Sequence, residues 1–183
     1  MTSIRSVYAA SVLLFGALAS CGDDPVAYSE TVSVKLSGIK NGDIDNGQAS
    51  EDKNINTESG NPYAAFLKNA RAKLGRDPSA VEISKATVQV HADSKNVSTI
   101  DAVFDSFEFF IANSATIIPA GSVADPRGTS VAVPIFDDLD YEPVFASMLS
   151  GDFKVGVRGP TVPLPPADFE LKLTIDLKFV AYE

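Results

Sequence analysis

The longest regular pattern in the chain is its last. Phe169, Leu171, Leu173, Ile175, Leu177, Phe179 and Ala181 alternate with Glu170, Lys172, Thr174, Asp176 and Lys178. A period of two puts every apolar side chain on one face, so the pattern predicts a long, bent strand framing the core. Near the other end, Val32, Val34 and Leu36 oppose Thr31, Ser33, Lys35 and Ser37, predicting a half-buried strand over 31–39. A third run changes phase: Val81 and Ile83 are odd-numbered, whereas Ala86, Val88 and Val90 are even-numbered. One residue of slip flips every side chain, so a bulge or break is expected near Ser84 and Lys85. Phe107, Phe109 and Ile111 oppose Phe110 and Ala112, the mark of a central strand covered on both sides. Further strands are expected at 116–118, at 129–136 after the turn Asp125-Pro126-Arg127-Gly128, and at 152–158 through Phe153, Val155 and Val157. Residues 159–166 contain four prolines, which forbid regular ladder pairing and predict a rigid extended loop.

Helical periodicity is confined to short stretches. Tyr63, Phe66, Leu67, Ala70 and Leu74 form one apolar stripe, with Asn61 placed to cap, Pro62 suited to the first turn, and Gly75 where a left-handed residue ends a helix. Lys68, Arg71, Lys73 and Arg76 gather at its C-terminal end, where positive charge complements the dipole and a solvated face is expected. One helical turn is read at 100–104. A shorter helix is read at 143–149, preceded by the acidic residues 137–142 and ended by Gly151. About seven strands with turn signals between them predict a mainly β fold, an antiparallel β-sandwich with one or two short helices. It would be immunoglobulin-like only loosely, because the chain has no tryptophan and no cysteine pair.

Residues 40–60 are strongly polar, with only Ile44 and Ile55 as large apolar side chains, and read as a long surface loop. Loops of that length tend to be functional, so this one is a candidate site. Asn41, Asp43, Asp45 and Asp52 fall at positions 1, 3, 5 and 12 of a calcium loop, where alternate oxygens can converge on one hard cation. The match departs from an EF-hand at position 6, which is Asn46 with Gly47 one place late, and at position 12, where Asp52 is shorter than the bidentate glutamate. The alternative is a solvated acidic turn at Asp45-Asn46-Gly47.

Charge and inventory narrow the function. The net charge is -9, with 24 acidic groups against 15 basic ones, which argues against a nucleic-acid partner. The single histidine, His91, sits on the less apolar face of its strand and reads as a surface or edge residue. With one histidine and one cysteine, no second nitrogen or sulfur ligand remains for zinc. Gly128-Thr129-Ser130-Val131-Ala132 lacks the second glycine of a nucleophile elbow, so no Ser-His-Asp site is read. A non-catalytic role is expected.

The first residues carry an address. Arg5 precedes 13 apolar or small residues from Val7 to Ala19, shorter than the roughly 20 a membrane-spanning helix needs. Leu18-Ala19-Ser20-Cys21 follows, and these four residues resemble the lipobox of bacterial lipoproteins. The resemblance implies cleavage between Ser20 and Cys21, acylation of Cys21, and a lipid anchor in the cell envelope. Gly22, in place of the aspartate that retains such proteins in the inner membrane, favours the outer one. An ordinary signal cut after Ala19 is the alternative. Removing residues 1–20 takes away only Arg5 and leaves a charge of -10, so attachment would rest on lipid and not on a basic patch. A short polar tether over 22–29 and a single domain over 30–183 are expected. Two functions fit: a module that binds another envelope protein through the 40–60 and 159–166 loops, or a polysaccharide or small-ligand binder, assisted by calcium. Exposed aromatics at Phe110 and Tyr182 would favour the second.

Overall fold

The computed structural model describes residues 26–58 and 60–183. The signal-like segment, Ser20 and Cys21 lie outside the described residues. Ten strands run in chain order: β1 (Ala27–Lys35), β2 (Ile39–Lys40), β3 (Gln48–Ile55), β4 (Ala80–Val90), β5 (Ser106–Ala112), β6 (Ile117–Ala124), β7 (Ser130–Val133), β8 (Phe153–Pro160), β9 (Glu170–Leu171) and β10 (Leu173–Tyr182). Helix α1 (Pro62–Leu74) follows β3, and α2 (Glu142–Ser150) follows β7. All strand pairings are antiparallel. One sheet has the order β1-β10-β4-β7, the other β3-β8-β5-β6, and β2 pairs with β9 alone. The inner faces of the two large sheets meet in one apolar core, giving the expected β-sandwich.

The regular patterns survive intact. All seven alternating apolar residues of the final run, from Phe169 to Ala181, are buried, and the run bends at Lys172, passing from β2 to a place between β1 and β4. The phase change in β4 is a bulge: Lys178 opposes Lys85, Phe179 opposes Ile83, and Ser84 is the extra residue. Val81, Ile83, Ala86 and Val88 therefore all reach the core. β5 lies between β8 and β6, as its two-sided hydrophobicity requires. In α1 the Asn61 side chain accepts from the Tyr63 N–H at 2.9 Å, and Gly75 closes the helix at φ +77°. The helix plugs one end of the sandwich, with Tyr63 edge-on to Phe179 and Phe66 tilted against the same ring.

Four readings change, the first being the proline-rich loop expected over 159–166: Gly159 and Pro160 pair with Ala49 and Gln48 at the end of β8, because Gln48 lies on an edge strand that tolerates a proline opposite it. Residues 40–60 are not one loop, because Gln48–Ile55 pairs along its length with β8. The pattern concealed this strand because the positions with core-facing parity are Ala49, Glu51, Lys53 and Ile55, of which only Ala49 and Ile55 are apolar and buried. Charges at such positions are a device of edge strands to block further pairing. The tether expected over 22–29 does not take in Ala27, Tyr28 and Ser29, which already pair with β10. β6 extends to Ala124, well past 118, because the ladder continues through a register shift opposite Phe109 and Phe110. Among the described residues no helix is long and apolar enough to cross a membrane.

Candidate functional site

The sequence-predicted loops meet at one end of the sandwich. Asp45, Asn46, Gly47 and Gln48 form a tight turn: Asp45 and Gln48 exchange backbone hydrogen bonds at 2.9 Å, with Asn46 and Gly47 at φ +51° and +72°. Positive φ at both central residues is the geometry that Asn-Gly favours. The Thr161 N–H donates to the Gly47 carbonyl at 2.8 Å, tying this turn to the proline-rich segment that leaves β8. That segment carries Leu164, 91% exposed between Pro163 and Pro165.

Beside the turn, an open groove of about 830 Å³ crosses the outer face of the second sheet. Its floor is a row fixed by strand register, Ser50 opposite Arg158, Arg158 opposite Glu108, and Glu108 opposite Ser122. The Arg158 guanidinium donates to the Glu108 carboxylate through Nε at 2.8 Å and lies within 2.6 Å of it through Nη2. It also lies over the Phe110 ring, 5.5 Å from the centroid. Phe110 is 3% exposed, so it is no aromatic platform. Gly156 makes room for the ring: a Cβ there would stand 2.6 Å from Phe110 Cζ and would also strike the Glu51 carbonyl. Tyr182, the other aromatic considered, is half-buried, and its hydroxyl donates to Glu82 at 3.2 Å.

Chain direction sets where this groove points. β1 starts at Ala27 opposite Tyr182, on the side where α1 packs against Tyr28. The Ser37 N–H beyond its far end donates to Glu51 in β3 at 3.1 Å. At about 3.3 Å per residue, the far end of β1 is roughly 26 Å from Ala27, and β3 runs back from the groove end toward α1. The groove and Leu164 therefore lie toward the pole opposite the start of β1.

The four calcium-pattern residues are not brought together. Asp43 ends a 3-10 turn, Asn41–Asp43, and its carboxylate accepts the Lys40 backbone N–H at 2.8 Å. Asp45 accepts from the Asn46 side chain at 3.0 Å. Both border the groove. Asp52 lies four residues along β3 from Gln48, about 13 Å away at strand rise, and pairs with Lys154 at 3.1 Å. Among the described residues no group of three or more acidic, histidine or cysteine side chains is close enough to hold a metal ion.

A second ionic cluster sits where β2 meets β9. Lys95, Lys172 and Lys40 surround the Glu170 carboxylate at 3.3, 3.5 and 3.8 Å. Burial pushes the Glu170 carboxyl up, but the three ammonium groups outweigh it and hold the group below the usual value. Close by, the Asp93 carboxyl is held low by its hydrogen bond from Lys35 at 2.8 Å and by His91. His91 is thus the partly exposed residue its parity predicted, 3.5 Å from Asp93.

The groove floor escaped the sequence reading because its residues come from four strands. One signal was available: Glu108 is the only charge inside the apolar run of β5, and Arg158 has the opposite parity to Phe153, Val155 and Val157. A lone charge on the outer face of a central strand requires a cross-strand partner.

No family model matches the chain, and no curated protein sequence matches it. Among solved structures it is similar to a chain of turnip yellow mosaic virus, with 11% identity and a TM-score of 0.34, covering 87% of this chain and 95% of that one. It is similar also to a chain of Desmodium yellow mottle tymovirus, with 10% identity and a TM-score of 0.32, covering 100% and 96%. Likeness at this level carries no argument about function.

Proposed function

We propose that the protein is a lipid-anchored cell-envelope lipoprotein, held in the outer membrane through Cys21, whose sandwich serves as a non-catalytic interaction or assembly module for another envelope protein. The observation that carries this reading is the groove over Ser50, Arg158, Glu108 and Ser122, flanked by the exposed Leu164, toward the pole opposite the start of β1. A module tethered at one end meets its partner with the other. Leu164 between prolines is a preordered apolar knob that loses little conformational freedom on binding, and Arg158 is the residue type most often found at the energetic centre of interfaces. Of the two aromatics that would have favoured the polysaccharide reading, Phe110 is buried beneath Arg158 and Tyr182 is half-buried. Calcium has no part in the proposal, because Asp43 and Asp52 are engaged elsewhere.

The test is crosslinking in intact cells followed by mass spectrometry, with Leu164→Asp and Cys21→Ala variants. One recurrent envelope protein is expected with the wild type. Leu164→Asp should reduce that product at least about tenfold without changing the melting temperature, because exposed substitutions shift stability by less than about 0.5 kcal/mol. Cys21→Ala should move the protein out of the membrane fraction. Undiminished crosslinking by Leu164→Asp refutes the docking surface, and a Cys21→Ala protein still bound to membrane refutes the anchor.

A further inference from the structure

The two edge strands β1 and β3 lie on the same side of the sandwich, and between them runs an open seam of about 390 Å³ that no other element covers among the described residues. Its ends are defined. Asn61 and Pro62, at the start of α1, close one, and the Ser37 to Glu51 hydrogen bond closes the other. In an antiparallel ladder, alternate residues bond to the neighbouring strand and the rest turn their backbone groups away. The Leu36 N–H donates to the Leu173 carbonyl at 2.9 Å, which puts the even-numbered residues of β1 in the ladder with β10. Ser33 and Lys35 therefore direct their N–H and C=O groups outward, along the seam. No helix covers this edge as α1 covers the first half of β1, and from Val32 to Lys35 there is no proline and no bulge, only the single charge of Lys35.

The seam also has a sign. Three lysines line its walls, Lys35, Lys53 and Lys172, and the one carboxylate that bounds it, Glu51, stands at its closed end and accepts the Ser37 N–H. In a chain of net charge -9 this is a local reversal. Lys35 and Lys172 already contact Asp93 and Glu170, whereas Lys53 has no ion-pair partner among the described residues. On β3 the exposed Lys53 stands at the register position of the core-facing Ala49 and Ile55, in place of the apolar side chain a continued sheet would need, so β3 disfavours an added strand and offers that strand's side chains a counter-charge instead. The floor of the seam is apolar, formed by Val32, Val34 and Ile55.

We infer that β1 accepts a fifth strand for its sheet in the form of an extended acidic segment of another protein, which pairs with the outward backbone groups of Ser33 and Lys35 and directs its carboxylates at Lys53. Backbone pairing supplies the geometry, and the lysines supply selectivity for negative charge. The stretch from Val32 to Ser37 accommodates about six residues at strand rise. This surface is separate from the groove and stands or falls independently of it.

The probe is a blocked eight-residue peptide of alternating aspartate and valine, compared with its lysine and valine counterpart, added to the 15N-labelled full chain in detergent micelles. Amide exchange at Ser33 and Lys35 should slow by about tenfold or more with the acidic peptide and stay unchanged with the basic one. Lys53→Glu should weaken binding by about tenfold. Ser33→Pro removes the outward N–H at a position where edge strands tolerate proline, and should abolish protection at Lys35. Should Ser33→Pro fail to fold, the Lys53→Glu comparison decides alone. Equal response to both peptides, protection at Ser50 to Asn54 of β3 in place of β1, or no response at millimolar peptide overturns the inference. Leu164→Asp should leave peptide binding untouched, which separates failure of this surface from failure of the groove.

Discussion

Tyr63 is the residue on which the closed end of the sandwich turns. Its side chain is fully buried, its hydroxyl donates to the Met148 carbonyl in α2 at 2.7 Å, and its ring meets Phe66, Phe153 and Phe179 at centroid distances of 5.5, 5.1 and 4.9 Å. It thus joins α1, α2, β8 and β10. Tyr63→Phe removes one buried hydrogen bond, yet the Met148 carbonyl still accepts from the Gly151 N–H at 3.2 Å and is not left orphaned. The cost should be that of a net hydrogen bond, about 1 kcal/mol, read as a fall of about 2–4 °C in melting temperature for a domain of this size. Tyr63→Ala removes the ring as well and leaves a cavity between three phenylalanines. The cost rises to about 3–5 kcal/mol, a drop on the order of 10 °C. Urea and thermal unfolding of the three proteins, followed by circular dichroism, measure both steps. A Tyr63→Phe cost above about 3 kcal/mol would mean that the hydroxyl, and not packing, holds the helices together. A Tyr63→Ala cost below about 1 kcal/mol would refute the ring's role altogether.

Stability should fall as the solution becomes alkaline. Burial pushes the Tyr63 hydroxyl far above its ordinary range and raises that of Tyr141 to about 12, so both hold their protons more tightly folded than unfolded. Their contribution is complete below the unfolded value of about 10 and is lost as pH rises through the folded one; a melting temperature that stays flat from pH 9 to 12 contradicts this. Gly156→Ala should cost about 1–3 kcal/mol, because the new methyl meets the Glu51 carbonyl of the adjacent strand and the Phe110 ring, and it should displace Arg158 from that ring; a neutral substitution measured by urea unfolding would show that β3 and β8 can part cheaply. Calcium at 1 mM against chelator should leave the melting temperature unchanged, whereas a site filled to 100 times its dissociation constant would add about 2.7 kcal/mol and be plainly visible.

The residues that spoke clearly in the sequence are those whose role is set by their near neighbours. Asn61, Pro62 and Gly75 announce α1 to the residue, because capping and left-handed closure are local chemistry acting within one turn. The alternation from Phe169 to Ala181 announces a strand, because seven apolar side chains at a period of two can be buried together only on one face of an extended chain. The phase change at Ser84 announces its bulge for the same reason.

Only the tertiary structure made a strand of Gln48–Ile55, since a polar edge strand with Glu51 and Lys53 at positions of core-facing parity has no period of its own and exists by hydrogen bonding to β8. Likewise, Phe110 has the parity of a solvent-facing residue and is buried because register sets Gly156 beside it and Arg158 above it. The groove and the lysine-lined seam belong to the same class. Their residues are up to about 140 positions apart and are joined by strand order and register, which a chain's local patterns do not encode.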